Sequence, residues 1–233
     1  RQFADLVHNK AWLYMTAIAV CTNFFNGFRY AVAGYMFEYC LHGNVTIEGL
    51  IINYTVFMAF GEVTCMIFGG LSPVFTKTVG SKRMAFFWSA LLCLVLSIAF
   101  FFIPMSPDYI WVMIALVILT SIGIGIYSPL MWSMYADVAD YHTEHFGASA
   151  TGLIFSSGTM SQKFGTAISG SLIALFLGWA GANMITDKMG NTVIDPTSIT
   201  DSVLMMVWSL FSLFPAVIAF LLMVLSYKFP IKK

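Results

Sequence analysis

The densest set of reactive side chains lies between residues 136 and 163, ADVADYHTEHFGASATGLIFSSGTMSQK. Its first part carries Asp137, Asp140, His142, Glu144 and His145; the remainder is small and hydroxylated and ends on Lys163. Carboxylates beside imidazoles are the donor types of a metal centre. The spacing here matches no zinc or di-metal motif, and a hydrated connector has the same composition. No metal ligands, catalytic residues or cofactor are therefore expected. Asp137 and Asp140 stand three apart and share a helix face. They suit a cytoplasmic latch that pairs with Lys or Arg on a partner helix.

The surrounding chain limits what such residues can do. It is 59% hydrophobic and 9% charged, against about 25% charged in a soluble domain. That much apolar surface needs a bilayer as solvent. The net charge of zero leaves no electrostatic footprint for nucleic acid. Cys21, Cys40, Cys65 and Cys93 sit in or beside apolar runs without paired spacing, so no disulfide framework is expected. The chain opens on Arg1 with no signal-peptide pattern and reads as part of a longer polypeptide.

A spanning helix needs about 20 mostly apolar residues. Six runs qualify: 12–39, 47–71, 84–103, 109–135, 150–177 and 202–227. The fold class expected is an all-α membrane protein, one domain over 1–233 with six transmembrane helices and both termini on one side. With cytoplasmic termini, Arg1, Lys10, Lys77, Lys82, Arg83, Lys228, Lys232 and Lys233 lie inside and Lys188 alone outside. The positive-inside rule selects that orientation in the cell membrane.

Three ionisable residues fall within the runs. A charge at mid-bilayer costs at least about 2.5–3.5 kcal/mol, so it faces a bundle interior or a wet cavity. Lys163 stands 13 residues after Ala150, about 20 Å along a helix. Ser156, Thr159, Lys163, Thr166 and Gly170 share one side of that helix; Ser157, Ser161, Gly165 and Ser169 form a small-residue seam roughly opposite. Lys163 and Thr159 are expected in a solute pathway, with a structural ion pair as the competing role for the lysine. Arg29, Asn26 and Tyr30 with Asn23 suggest a hydrated face of the first helix; Arg29 would otherwise pair with a headgroup or Glu38. Glu62 either neutralises Arg29 or Lys163 or carries a proton. Trp132, with Tyr127 and Tyr135, suits a sugar ring or a membrane-interface belt.

The segment PLMWSMYADVADYHTEHFGASATGLIFSSGTMSQKFGTAISG resembles the glycoside–pentoside–hexuronide:cation symporters, melibiose-permease-like members of the major facilitator superfamily. The matching residues are Ala136 to Tyr141, Gly147, Gly152 and Gln162-Lys163-Phe164-Gly165. Asn9-Lys10-Ala11-Trp12, Arg29 with Tyr35 and Tyr39, and Gly80-Ser81-Lys82-Arg83 extend the likeness over nearly the whole chain. It departs at Ser149, where the family has arginine, and at Gly181-Ala182, where Gly-Tyr is expected. The resemblance implies that these helices are the C-terminal six of a twelve-helix transporter. It also implies a sugar or glycoside substrate, a coupling Na⁺ or H⁺, an absent N-terminal six-helix partner half, and Lys163 near the sugar and cation region. By that reading the chain is no enzyme and does not transport alone. Two competitors from other classes are a non-transporting membrane scaffold or assembly subunit and an intramembrane enzyme built on the Asp/His cluster.

Overall fold

The computed structural model describes residues 6–47, 49–147, 149–186, 190 and 192–231. Arg1, Lys188, Lys232 and Lys233, four of the charges used to orient the chain, lie outside the described residues.

Among the described residues, seven long helices carry the fold: α1 (Lys10–Tyr35), α2 (Tyr54–Val79), α3 (Lys82–Phe101), α4 (Ile110–Phe146), α5 (Thr151–Trp179), α6 (Asp201–Phe211) and α7 (Leu213–Lys228). Their starts follow from side-chain caps. Asn9 accepts from the Trp12 amide at 3.2 Å and Asn53 from the Val56 amide at 2.9 Å, each satisfying an orphan helix N–H. Gly80 and Gly147 end α2 and α4 with φ of 81° and 70°, a left-handed turn that glycine enters without a Cβ penalty. A π-helical turn, Met36–Cys40, continues α1. Two antiparallel hairpins fill connectors: β1 (Val45–Ile47) with β2 (Leu50–Ile52), and β3 (Met184–Thr186) with β4 (Thr192–Ile194).

Among the described residues, four segments are long and apolar enough to cross a membrane: Tyr54–Val79, Lys82–Phe101, Pro107–Phe146 and Asp201–Lys228. Helices α1 and α5 have the length, at 26 and 29 residues, but less apolarity. Asn23, Asn26 and Arg29 interrupt α1, and serine, threonine, glycine and Lys163 interrupt α5. Three sequence boundaries also shift. The second run is expected over 47–71, but α2 spans Tyr54–Val79, because the first residues of that run form the β1–β2 hairpin and Asn53 caps the helix. Helix α4 runs to Phe146 rather than ending near 135, so Asp137 and Asp140 are helical. The last run is two helices broken at Ser212 (φ −115°, ψ −69°). Pro215 explains the break: it has no N–H for the Phe211 carbonyl, and its ring crowds that carbonyl. The Ser212 hydroxyl, fully buried, donates to the Trp208 carbonyl at 2.6 Å and stabilises the interruption.

Helix α4 packs along α2 and α3, α7 along α3 and α1, and α1 along α5. Two apolar clusters mark the ends of the bundle. One gathers Phe28, Phe57, Phe100, Trp208 and Phe211 beneath the hairpins. The other gathers Met15, Phe25, Phe86, Tyr127 and Tyr135 toward the opposite end. Lipid tails supply no hydrophobic drive between helices, so close packing of small residues does the joining. A Cβ on Gly125 would stand 2.8 Å from the Cys65 carbonyl oxygen, and one on Gly165 2.5 Å from Asn23 Cβ. Outward, α2 presents Val63, Ile67 and Val74, as a lipid-facing helix does.

The seam between α1 and α5 gives a matched test. Gly165→Leu is expected to destabilise by about 1–3 kcal/mol through overpacking. Gly170→Ala, on the open side with no atom near the added carbon, is expected to be neutral. Thermal unfolding of the detergent-solubilised protein compares them; equal stability of the two would contradict the seam.

Candidate functional site: a polar cavity between α1, α2 and α4

The helix periods bring one set of predicted residues together. Asn26 and Tyr30 are four apart on α1; Glu62, Cys65, Met66 and Gly69 recur at three and four on α2; Gly125, Ser128, Pro129 and Trp132 do so on α4. Their shared space is a cavity of about 430 Å³, within the range of small-molecule sites. Arg29 lies behind it, in a narrow recess shared with Asn26, Tyr30 and Glu62.

Arg29 is 5% exposed. Its guanidinium stands 5.8 Å from the centre of the Phe25 ring, a cation–π arrangement. Among the described residues no carboxylate reaches it at ion-pair distance. Glu62 is close enough to act on it electrostatically, but that carboxylate is engaged otherwise: the Tyr30 hydroxyl donates to Glu62 Oε1. A buried cation facing a carboxylate across a recess is a polar end for a ligand with hydroxyl or charged groups. Trp132, stacked on Phe155 at 6.4 Å with planes 2° apart, supplies a flat apolar wall.

Two residues of this wall, Ser128 and Pro129, carry no charge and are not among the expected site residues; Tyr127, grouped with Trp132 by sequence, stands behind the wall. Tyr127, fully buried against Phe86, donates to Asn26 Oδ1 at 3.5 Å and orients that amide. Pro129 lacks the N–H that would cap the Gly125 carbonyl, leaving an acceptor on the cavity wall. Ser128 adds a hydroxyl. The step of three or four back from Trp132 was the available signal.

Lys163 and Thr159 are not brought into this set. Both are exposed on α5, on a stripe with Ser156, Thr166 and Gly170; Ser161, Gly165 and Ser169 are buried against α1. Among the described residues Lys163 makes no ion pair. The stripe does reach a second cavity of about 570 Å³, between α1 and α5, through Thr166 and Gly170. Asn26 and Tyr30 line that cavity too, so the two spaces flank one polar edge of α1.

At the other end of α4, Asp137 accepts from Lys82 Nζ at 2.7 Å, with side chains 11% and 28% exposed. This ties α4 to the start of α3. Asp140 is exposed and forms no ion pair among the described residues. His142, 1% exposed, meets Asn9 Nδ2 through Nδ1 at 3.2 Å. Because the Asn9 amide N–H donates there, this histidine nitrogen carries a lone pair. Among the described residues no group of His, Cys, Asp and Glu is arranged to hold a metal.

The family model for MFS/sugar transport proteins matches residues 1–233. The chain belongs to that family. Among its curated relatives, the putative glycoside/cation symporter YagG of Escherichia coli K12 is 28% identical over 177 residues, 75% of this chain and 36% of the relative. The inner membrane symporter YicJ of the same organism is 30% identical over 129 residues, 54% of this chain and 27% of the relative. An uncharacterised 29.9 kDa protein of Pseudescherichia vulneris is 39% identical over 101 residues, 43% of this chain and 36% of that protein. The chain thus spans about a third of the length of the curated relatives it matches. This sugar-transport-family chain is a membrane protein by its apolar helices and its relatives alike.

Arg29→Met is expected to leave unfolding stability unchanged or to raise it by about 1–4 kcal/mol, because an apolar side chain of similar volume removes a desolvated charge. Thermal unfolding reads this directly; a loss of several kcal/mol would make the arginine a structural strut instead. For Lys82 and Asp137, a double-mutant cycle to alanine is expected to give a coupling of about 0.2–1 kcal/mol, as for a partly exposed pair. Unfolding of the four proteins in detergent measures it; a coupling near zero would mean that the pair does not fasten α4 to α3.

Proposed function

We propose that the chain is the C-terminal six-helix half of a cation-coupled sugar or glycoside symporter. It works by alternating access against an N-terminal six-helix half. The observation that carries this is the cavity between α1, α2 and α4. There a carboxylate, an amide, a hydroxyl and an indole line one space, with a desolvated arginine in the recess behind it. Polar groups at such depth are costly unless a pathway uses them.

In this reading α1 and α5 are the fifth and sixth spans. Their lower apolarity is what helices facing a wet cavity require. Asn26, Tyr30 and Glu62 hydrogen-bond sugar hydroxyls, Trp132 stacks on the ring, and Arg29 holds the carboxylate side in place. Lys163 and Thr159 stand where the partner half closes over the exposed face of α5. The coupling ion is Na⁺ or H⁺, and Glu62 is the proton carrier within this half if H⁺ is used. The protein lies in the cell membrane with both termini in the cytoplasm, an orientation supported by the distribution of lysine and arginine. Asp137, already paired with Lys82, and the open Asp140 form the cytoplasmic latch. Transport of this kind involves no enzymatic step.

The test is uptake of a labelled glycoside panel into vesicles carrying the protein as its gene encodes it, under an imposed Na⁺ or H⁺ gradient. Gradient-driven uptake is expected, falling ten-fold or more in Arg29→Met, Glu62→Gln and Lys163→Ala while each protein still inserts. Undiminished uptake in the first two variants would remove the cavity from the pathway. Absence of uptake for every sugar by inserted wild-type protein would overturn the symport reading.

A further inference from the structure

A third cavity lies at the hairpin end of the bundle, outside the site described above. It measures about 870 Å³. Three tyrosine rings and one carboxylate line it: Tyr35, Tyr39, Tyr54 and Glu38, with the backbone of Thr192 and Ile194 on β4. Tyr35 and Tyr39 stack at 6.2 Å with planes 19° apart. Tyr54 and Glu38 are exposed at its opening.

The rings are held before any ligand arrives. The Ile194 amide donates to the Tyr39 hydroxyl at 3.0 Å, and that hydroxyl donates to the Ile194 carbonyl at 3.4 Å. The Tyr35 hydroxyl donates to the Thr192 carbonyl at 3.3 Å. Strand β4 is itself fixed at its far end. Asp195 accepts from the Thr197 amide at 2.9 Å, a bond that holds its carboxyl below the usual carboxylate range. With their hydroxyls committed to backbone, these two tyrosines offer faces rather than donors. Glu38 then supplies the acceptor.

This cavity also joins the others in sequence. Ala31 lines both it and the cavity between α1 and α5. Asn26 and Tyr30 in turn line both that cavity and the central one. Tyr35 is five residues beyond Tyr30, about 7.5 Å along α1. Shared lining residues set the three spaces in succession along α1.

We infer that the pocket bounded by Tyr35, Tyr39, Tyr54 and Glu38 is an outer binding site for a neutral pyranoside, occupied before the central cavity. A pyranose has an apolar face of C–H groups and a rim of hydroxyls. Aromatic faces, negative at their centres, meet the first, and a carboxylate accepts from the second. The volume suits a mono- or disaccharide and far exceeds an alkylammonium ion, the other ligand that aromatic rings and one acid attract. The inference rests on the saccharide reading of the function and adds to it a site of its own.

The probe is a set of diazirine-bearing alkyl gluco-, galacto- and xylopyranosides. They are photolysed in membranes holding the protein as its gene encodes it, and the labelled peptides are mapped by mass spectrometry. Labelling of the segments around Glu38 to Tyr54 and of β4 is expected, competed by the methyl pyranosides. It should fall ten-fold or more in Tyr54→Ala and in Tyr35→Ala, and no more than about three-fold in Glu38→Gln, whose amide oxygen still accepts. Tyr39→Phe, which keeps the ring and loses the tether, should weaken labelling without moving it. Labelling confined to the central cavity would overturn the outer site and leave the symport reading standing. Labelling nowhere, with correctly inserted protein, would overturn both. Labelling of the outer site competed by tetramethylammonium and abolished in Glu38→Gln would replace the sugar with a cation.

Discussion

The bundle depends on backbones coming close where side chains are smallest. Gly125 sits against the Cys65 carbonyl, Gly123 against the Ser89 carbonyl, and Gly27 against Ser169, each with no room for a Cβ. Hydroxyls and thiols reinforce these crossings: Ser72 donates to the Ile126 carbonyl at 2.8 Å, and Cys65 to that of Ser121 at 3.3 Å. Between apolar helices in lipid such contacts replace the hydrophobic drive that folds a soluble domain. They also set where space remains. Close approach of α4 to α2 at Gly125 leaves the wider gap beside Ser128 and Trp132 that becomes the central cavity.

Arg29 is the electrostatic counterpart of that constraint. Its burial is costly, and the structure offsets the cost only in part, through Phe25 and a carboxylate held by Tyr30. A site that keeps a cation incompletely satisfied retains binding capacity for a ligand, at the expense of stability. The asymmetry between α1 and the other helices has the same origin. Polar residues collect on the helix that borders all three cavities, and α2, α3 and α4 keep the apolar composition of spans.

Much of this was legible in sequence because helical period is a geometric fact. The step of three and four on α5 separated the buried seam of Ser161, Gly165 and Ser169 from the open stripe of Lys163. The same step grouped Asn26 with Tyr30. What was illegible lay where two helices meet or where one residue acts at a distance. Nothing in the local pattern ties Tyr127 to Asn26, or Tyr39 to Ile194, 155 residues away. Hydropathy alone ran straight through Ser212, since the break needs Pro215 to be read four residues forward of its effect. It also stopped α4 at the first carboxylate, though Asp137 and Asp140 extend a helix as readily as they end one. Membership of the sugar transport family was legible from the motif around Lys163, yet the structure sets that lysine on a different face from Arg29.

The interruption at Ser212 bears on how the chain is made. Helix α6 has 11 residues and α7 has 16, rising about 16 and 24 Å. Each falls short of the ~30 Å hydrocarbon core. Neither is therefore a complete signal for lateral release from a translocon. The ribosome must finish both, through Lys228, before this pair of helices can partition into lipid as a unit. The α1 and α3 surfaces that α7 covers stay open until α7 itself has been synthesised.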